Sequence, residues 1–152
     1  MKNPYYRKPN SAIQSDHSIQ DIYYNFLNTM LTQGYVVSLY NEGWALCATH
    51  KGQQGFPLWS HRNLASLLIK GEWIDYKIQE ITLKLFLEQV IPYLKTEKYI
   101  ISLNLTPEGQ NIRLNPEKML LDLKAILYKI YSDKPDVYAK LSLPAPRKIR
   151  IH

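Results

Sequence analysis

The sequence contains a single cysteine, Cys47, and only six glycines among 152 residues. One cysteine excludes an intrachain disulfide and is typical of proteins that work in a reducing cytosol. The few glycines form no phosphate-binding loop, and no Gly-x-Ser-x-Gly motif is present. No apolar run approaches the roughly 18 residues that cross a bilayer, and the first residues lack the apolar stretch of a signal peptide. We therefore expect a cytoplasmic protein that does not interact with membranes.

Metal ligands are also scarce, because Cys47 is accompanied by only four histidines. A zinc site needs three or four ligands, usually arranged in close pairs. Cys47 and His50 are the only near pair, and side chains three residues apart on a strand point to opposite faces. A pair of Cys47 and His61 is conceivable in space, but nothing in the spacing requires it. We predict no metal, no cofactor and no catalytic residue, with an enzyme of unrecognised type as one alternative.

The charge is unevenly distributed along the chain, which carries 19 basic and 13 acidic side chains, a formal charge of +6 and a pI near 9.3. Residues 1–20 hold three basic side chains and one acidic, and residues 128–152 hold six and two. Residues 21–127 hold ten of each. A nucleic-acid-binding domain would more often carry its basic patch on its folded part. The high pI therefore describes the two ends rather than the centre.

A single folded domain is expected from the length and from the 45% content of hydrophobic residues. Residues 1–17 are polar and contain two prolines, which predicts a mobile N-terminal arm. Residues 18–130 contain the periodic apolar patterns and form the predicted domain. Residues 131–152 contain three prolines that prevent a long regular helix, so this segment is predicted to be a basic C-terminal tail.

The first half of the domain is predicted to contain a helix followed by three strands. Ser18 is a suitable N-cap, apolar residues recur at helical spacing from Ile19 to Leu31, and Gly34 ends the helix. Short apolar runs separated by turn residues then predict an antiparallel meander of strands at residues 35–40, 44–49 and 56–59.

The second half is predicted to contain three helices and two or three strands. A helix capped by Ser60 places Leu64, Leu67 and Leu68 on its apolar side. The other predicted elements are an extended stretch at 77–81, a helix after Thr82, strands at 99–105 and 111–114, and a helix beginning at Asn115-Pro116. Pro92 is expected to kink or shorten the helix after Thr82. The order α-β-β-β-α-(β)-α-β-β-α predicts an α+β fold, a mainly antiparallel sheet covered by about four helices.

Several of these patterns occur together in one order along the chain. They are Trp44-Ala45-Leu46, Gly55-Phe56-Pro57-Leu58-Trp59, Trp73 with Tyr76, Leu83 with Phe86-Leu87, and the proline-led helix after Asn115. This arrangement resembles a family of small bacterial proteins known as domain of unknown function 2750, over about residues 22–125. The layout is also similar in topology to the N-terminal domain of SseB-type proteins. The resemblance implies a fold, and it implies no catalytic residue.

The aromatic residues near the strand ends have two interpretations. Trp44 and Trp59 are expected to close the core, because tryptophan is highly buried on average. Trp73 and Tyr76 lie in a connection beside charged residues. There they either pack in the core or form an amphipathic anchor for a partner.

Two further groups are candidates for contacting a partner. His61 and Arg62 stand at a helix start, where backbone N–H groups and the arginine either hold an anion or simply belong to a capped helix. In the tail, the basic residues Arg147, Lys148 and Arg150 could contact phosphate while Tyr128, Tyr131 and Tyr138 stack on bases. Alternatively, residues 141–144 dock on a protein groove as an extended peptide, or the tail is a solvated terminus that aids solubility.

We interpret the sequence as a bacterial, non-catalytic protein-binding module with an accessory or immunity-type role. The alternative is weak, sequence-tolerant nucleic-acid binding through the basic termini, which would fall steeply with salt. The candidate partner-binding residues are Trp73, Tyr76, His61, Arg62, Arg147, Lys148 and Arg150. The oligomeric state, the strand order and whether the C-terminal tail packs on the domain are left open.

Overall fold

The helices and strands of the computed structural model follow the predicted order and form an α+β fold. The structure describes residues 10–48, 52–146 and 149, with side chains from residue 18 onward. The helices are α1 (Asn10–Gln33), α2 (Arg62–Ser66), α3 (Leu83–Leu85), α4 (Ile91–Glu97), α5 (Pro116–Asp133) and α6 (Pro135–Ala139). The strands are β1 (Tyr35–Tyr40), β2 (Cys47–Ala48), β3 (Gln54–Leu58), β4 (Lys77–Thr82), β5 (Ile100–Leu103) and β6 (Ile112–Leu114). Among the described residues, no helix is long and apolar enough to cross a membrane.

The strands form two sheets rather than one. β1 pairs with β4 along its whole length, and the other four strands lie in the order β2-β3-β5-β6. All pairings are antiparallel except that of β3 with β5, which is parallel. The predicted meander is confirmed for β2 and β3 but not for β1, which forms one isolated bridge, Tyr40 with Trp44, to the segment before β2. All six residues of β1 pair instead with β4, from Tyr35 opposite Thr82 to Tyr40 opposite Lys77.

β1 separates two hydrophobic cores, because both of its faces are buried. Val36 belongs to the main core, whereas Val37 and Leu39 belong to a second, smaller core. The main core packs helices α1, α4 and α5 against β3 and β5, with buried residues that include Phe26, Met30, Phe56, Leu58, Leu94, Ile101, Leu103, Met119 and Leu123. Strand residues alternate between faces, so β1 contributes to both cores at once.

Pro92 changes the helix in which it lies without shortening it. The region from Leu83 to Glu97 is helical throughout, and the turn at Phe86–Val90 is a wide π-type turn. Proline has no N–H to donate to the carbonyl four residues earlier, and one-turn π segments are a common way to absorb such an interruption. Of the two predicted outcomes, the shortening is wrong and the kink stays a prediction, and the irregular turn lies directly before Pro92.

The first helix begins earlier than predicted. α1 starts at Asn10 rather than at Ser18, since no proline occurs between Pro9 and Pro57 to interrupt it. Residues 1–9 of the predicted arm lie outside the described residues.

The described part of the predicted tail packs on the domain. Tyr138 of α6 is 4% exposed and Ile149 is 7% exposed, and both belong to the main core. The Tyr138 hydroxyl donates to the Pro144 carbonyl, and Lys124 Nζ donates to the Ile149 carbonyl at 2.8 Å. The prolines of this segment exclude a long helix but allow the short helix α6. Pro135 fits there because it occupies the first turn, where its missing N–H is not needed.

A partly buried hydrogen bond between α1 and α5 predicts how the stability of the protein changes at alkaline pH. Tyr23 donates to Asp122 Oδ2 at 2.6 Å. Burial first, and then this bond, raise the pKa of the Tyr23 hydroxyl well above its ordinary value near 10. The unfolded chain releases the proton near pH 10 and the folded chain keeps it. The stability contributed by Tyr23 is therefore complete below about pH 10 and is lost as the pH rises further.

We expect Tyr23→Phe to lower the free energy of unfolding by roughly 1–2 kcal/mol at neutral pH. The difference from the wild type should shrink above about pH 10. Urea unfolding at a series of pH values checks this, with Tyr128→Phe, an exposed tyrosine, as the control. A gap that stays constant up to about pH 11 would contradict the linkage.

Candidate interaction surface

Trp73 and Tyr76 cover the second core. At its centre lies Trp59, which is fully buried and donates from Nε1 to the Leu105 carbonyl at 2.8 Å. The Trp73 ring meets Trp59 edge-on, with ring centroids 6.5 Å apart, and Tyr76 lies 6.4 Å beyond Trp73. Trp73 and Tyr76 are half-buried. Each packs on the second core and keeps part of its surface in solvent, so the anchor role stays a prediction.

Leu67 and Ile74 are the most exposed large hydrophobic side chains of the described chain, at 55% and 60%. Both lie on the short segment that carries Trp73. Leu67 directly follows α2, and Ile74 directly follows the 3-10 turn Gly71–Trp73. The sequence predicts Leu67 on the apolar side of a helix, but the buried side chains here are Ala65 and Leu68, and Leu67, the C-cap of α2, is exposed. For Ile74, the only feature of the sequence that bears on its exposure is its position between Trp73 and Asp75.

His61 and Arg62 lie at the edge of this segment, and both are exposed. The N-cap of α2 is His61 rather than the predicted Ser60, and no side chain caps the helix. Ser60 is instead buried, and its carbonyl accepts a hydrogen bond from Gln33 Nε2 at 2.6 Å. We call the group His61, Arg62, Leu67, Trp73, Ile74 and Tyr76 the 61–76 surface.

The charge of Arg62 is partnered, because its guanidinium lies 2.8 Å from Glu80 Oε2. Both side chains of this ion pair are about half-exposed, so the pair contributes little to stability. It supplies a polar border to the apolar side chains nearby. The anion-binding interpretation of this helix start stays a prediction, and there Arg62 is shared with the Glu80 carboxylate.

The predicted basic site residues of the tail, Arg147, Lys148 and Arg150, lie outside the described residues. Tyr128 and Tyr131 are exposed on α5, whereas Tyr138 is buried. Tyr131 meets Tyr138 edge-on at 5.1 Å between ring centroids. Two of the three tyrosines suggested for base stacking are therefore accessible, and the third serves packing.

Cys47 lines a polar cleft of about 560 Å³ on the face of the four-stranded sheet that points away from the main core. Its Sγ lies 3.5 Å from both Ser102 Oγ and the Gly55 carbonyl. Gly55 makes this approach feasible, because a Cβ there would lie 2.6 Å from Ser102 Oγ. His61 is not among the residues that line this cleft, and His50 lies outside the described residues. Within the described ranges, no group of three or more His, Cys, Asp and Glu residues could hold a metal ion.

The comparison with known proteins identifies a family but not an activity. None of the curated proteins matches the chain. The family model described as "Protein of unknown function (DUF2750)" matches residues 23–123. The matched range runs from α1 to the middle of α5 and includes all six strands, the second core, the 61–76 surface and most of the main core. It covers most of the chain, and the protein therefore belongs to the DUF2750 family.

Proposed function

We propose that this DUF2750 protein is a non-catalytic binding module that takes up a protein partner on the 61–76 surface. One observation carries the proposal: Leu67 and Ile74, the two most exposed large hydrophobic side chains described, occur on one short segment beside the half-buried Trp73. Single exposed hydrophobic residues are ordinary on protein surfaces, and what supports a binding site here is that two of them share one short segment with Trp73 and Tyr76.

The composition of the 61–76 surface matches that of protein interfaces. Interfaces combine an apolar centre, in which aromatic residues and arginine are enriched, with a polar border. Leu67 and Ile74 would supply the centre, and the Arg62–Glu80 ion pair would supply part of the border. Burying a leucine or isoleucine side chain fully contributes roughly 1.5–3 kcal/mol, so these two residues would provide a large part of a micromolar affinity.

The packing beneath this surface supports binding without a large rearrangement. Trp73 rests edge-on against Trp59, and Tyr76 rests against Trp73. The 3-10 turn is held by backbone bonds from Trp73 N to Lys70 O and from Ile74 N to Gly71 O, at 3.0 and 3.2 Å. A pre-ordered surface loses less conformational entropy on binding. An accessory or immunity-type role in a bacterial cytoplasm, in which the protein masks its partner, is the concrete version of the proposal.

The double variant Leu67→Ser/Ile74→Ser is expected to lose its partner while remaining folded. Exposed substitutions usually change the free energy of unfolding by less than about 0.5 kcal/mol each, whereas loss of both apolar contacts should weaken binding at least tenfold. The full-length protein, this variant and Leu121→Ser serve as baits in lysate from the source organism. Leu121 is also exposed but lies on α5.

We expect the wild type and Leu121→Ser to recover the same stoichiometric protein, and the double variant to recover none of it. Recovery of no stoichiometric protein by the wild type would refute the proposed function. Equal recovery by all three baits would refute the 61–76 surface as its site.

A further inference from the structure

A second cleft lies where the C-terminal segment meets the domain. A cleft of about 840 Å³ is bordered by the C-terminal end of α1, the start of α3, the second half of α5 and the α6 region. This volume lies in the range of small-molecule sites, which are typically apolar clefts with a few polar groups. Six apolar side chains line it: Leu31, Leu83, Ile126, Ile130, Val137 and Leu141.

The charges around this cleft have one sign. Lys84 and Lys140 are the only charged residues among those that line it, and no carboxylate does. Both lysines are exposed, and neither forms an ion pair with another described residue. One lysine belongs to α3 and the other follows α6, so two independent elements bring positive charge to one apolar cleft.

We propose that this cleft binds a small amphipathic carboxylate, with the apolar chain against the six hydrophobic side chains and the carboxylate near Lys84 and Lys140. Charge complementarity selects the head group, since an anion would meet two cations and no competing acid. The apolar lining selects the chain, and each methylene buried should tighten binding about fourfold. Neutral or cationic molecules with the same chain would gain only the contribution from burying the apolar chain.

The site depends on the C-terminal segment rather than on the family domain alone. Ile126, Ile130, Val137, Lys140 and Leu141 all follow residue 123, where the match to the DUF2750 family ends. The cleft exists because Tyr138 and Ile149 hold this segment against the main core. Ligand binding here is therefore a property of this chain, and it is independent of the partner proposed for the 61–76 surface.

The test uses decanoate as the probe, below its micelle concentration, with decanol and decyltrimethylammonium as matched neutral and cationic probes. Calorimetric titration of the full-length protein should show decanoate binding at least tenfold tighter than either of the other two. Lys84→Gln/Lys140→Gln should reduce decanoate affinity about tenfold and leave decanol affinity unchanged. Lys129→Gln/Lys134→Gln removes two exposed lysines that do not line the cleft, and it should change neither affinity.

A second variant tests the apolar part of the site. Val137 is exposed at the cleft, so Val137→Trp should fill space there without disturbing the core and should weaken both decanoate and decanol. Circular dichroism confirms that each variant is folded. Absence of decanoate binding would overturn the proposal. Equal affinities for decanoate and decanol would also overturn it and would favour a groove for an apolar protein segment. An unchanged decanoate affinity in Lys84→Gln/Lys140→Gln would overturn the proposal that these two lysines attract the carboxylate.

Discussion

Trp59→Ala is expected to lower the free energy of unfolding by about 3–5 kcal/mol. Trp59 is fully buried and stands at the centre of the second core, with Trp73 against its ring. Its removal leaves a cavity and also leaves the Leu105 carbonyl without the donor that now lies 2.8 Å away. Urea unfolding followed by circular dichroism measures the loss, because tryptophan fluorescence itself changes in this variant.

Two further variants make the result specific to the second core. Trp59→Phe keeps most of the ring but removes the donor to Leu105, and should cost about 1–3 kcal/mol. Trp73→Ala removes a half-buried ring and should cost less than Trp59→Ala. If Trp73→Ala were as damaging as Trp59→Ala, Trp59 would not be the centre of this core. If Trp59→Ala prevents folding, Trp59→Phe still provides the measurement.

Tyr138→Ala is expected to cost on the order of 3 kcal/mol. The tyrosine is 4% exposed, packs edge-on against Tyr131 and donates its hydroxyl proton to the Pro144 carbonyl. Tyr138→Phe loses only the hydrogen bond and should cost about 1 kcal/mol. The same urea experiment provides both values.

Tyr131→Ala is the matched control for Tyr138→Ala, since Tyr131 is an exposed tyrosine in the same aromatic pair. Its cost should be below about 1 kcal/mol. A small cost for Tyr138→Ala as well would mean that residues 135–149 contribute little to the folded state. The segment would then behave as the tail expected from its prolines, and the cleft beside α6 would lose its support.

The long helices could be predicted because their signals are local. Asn115 precedes Pro116, and its side-chain oxygen accepts from Glu117 N at 2.7 Å, as the cap-then-proline pattern indicates. α1 shows the same agreement at its C-terminal end, where Gly34 has a positive φ of 86°. Both helix ends are determined by residues adjacent in the sequence, so they can be predicted without knowledge of the tertiary structure.

The strand pairing could not be predicted, because it depends on residues far apart in the chain. β1 finds its full-length partner in β4, and β3 and β5 pair in parallel, although no local pattern distinguishes these choices from a meander. Burial of both faces of β1 also results from that pairing. Whether the C-terminal segment packs on the domain was open for a similar reason, since one aromatic residue after a proline, Tyr138, has no periodic pattern.

The candidate site was predicted in part. Trp73 and Tyr76 pack against the second core, as one of their two interpretations expected, and their role as an anchor for a partner stays a prediction. The exposure of Leu67 and Ile74 could not be predicted, because it depends on which side chains of this segment pack against the second core, and those include Ala65, Leu68 and Trp73.

Amide hydrogen exchange of the full-length protein, with and without its captured partner, tests the proposed binding role most directly. We predict that the partner slows exchange mainly in residues 61–76. Exchange in residues 124–142, beside the second cleft, should change little. Protection confined to residues 124–142, or protection absent from 61–76, would contradict the assignment of the 61–76 surface as the binding site.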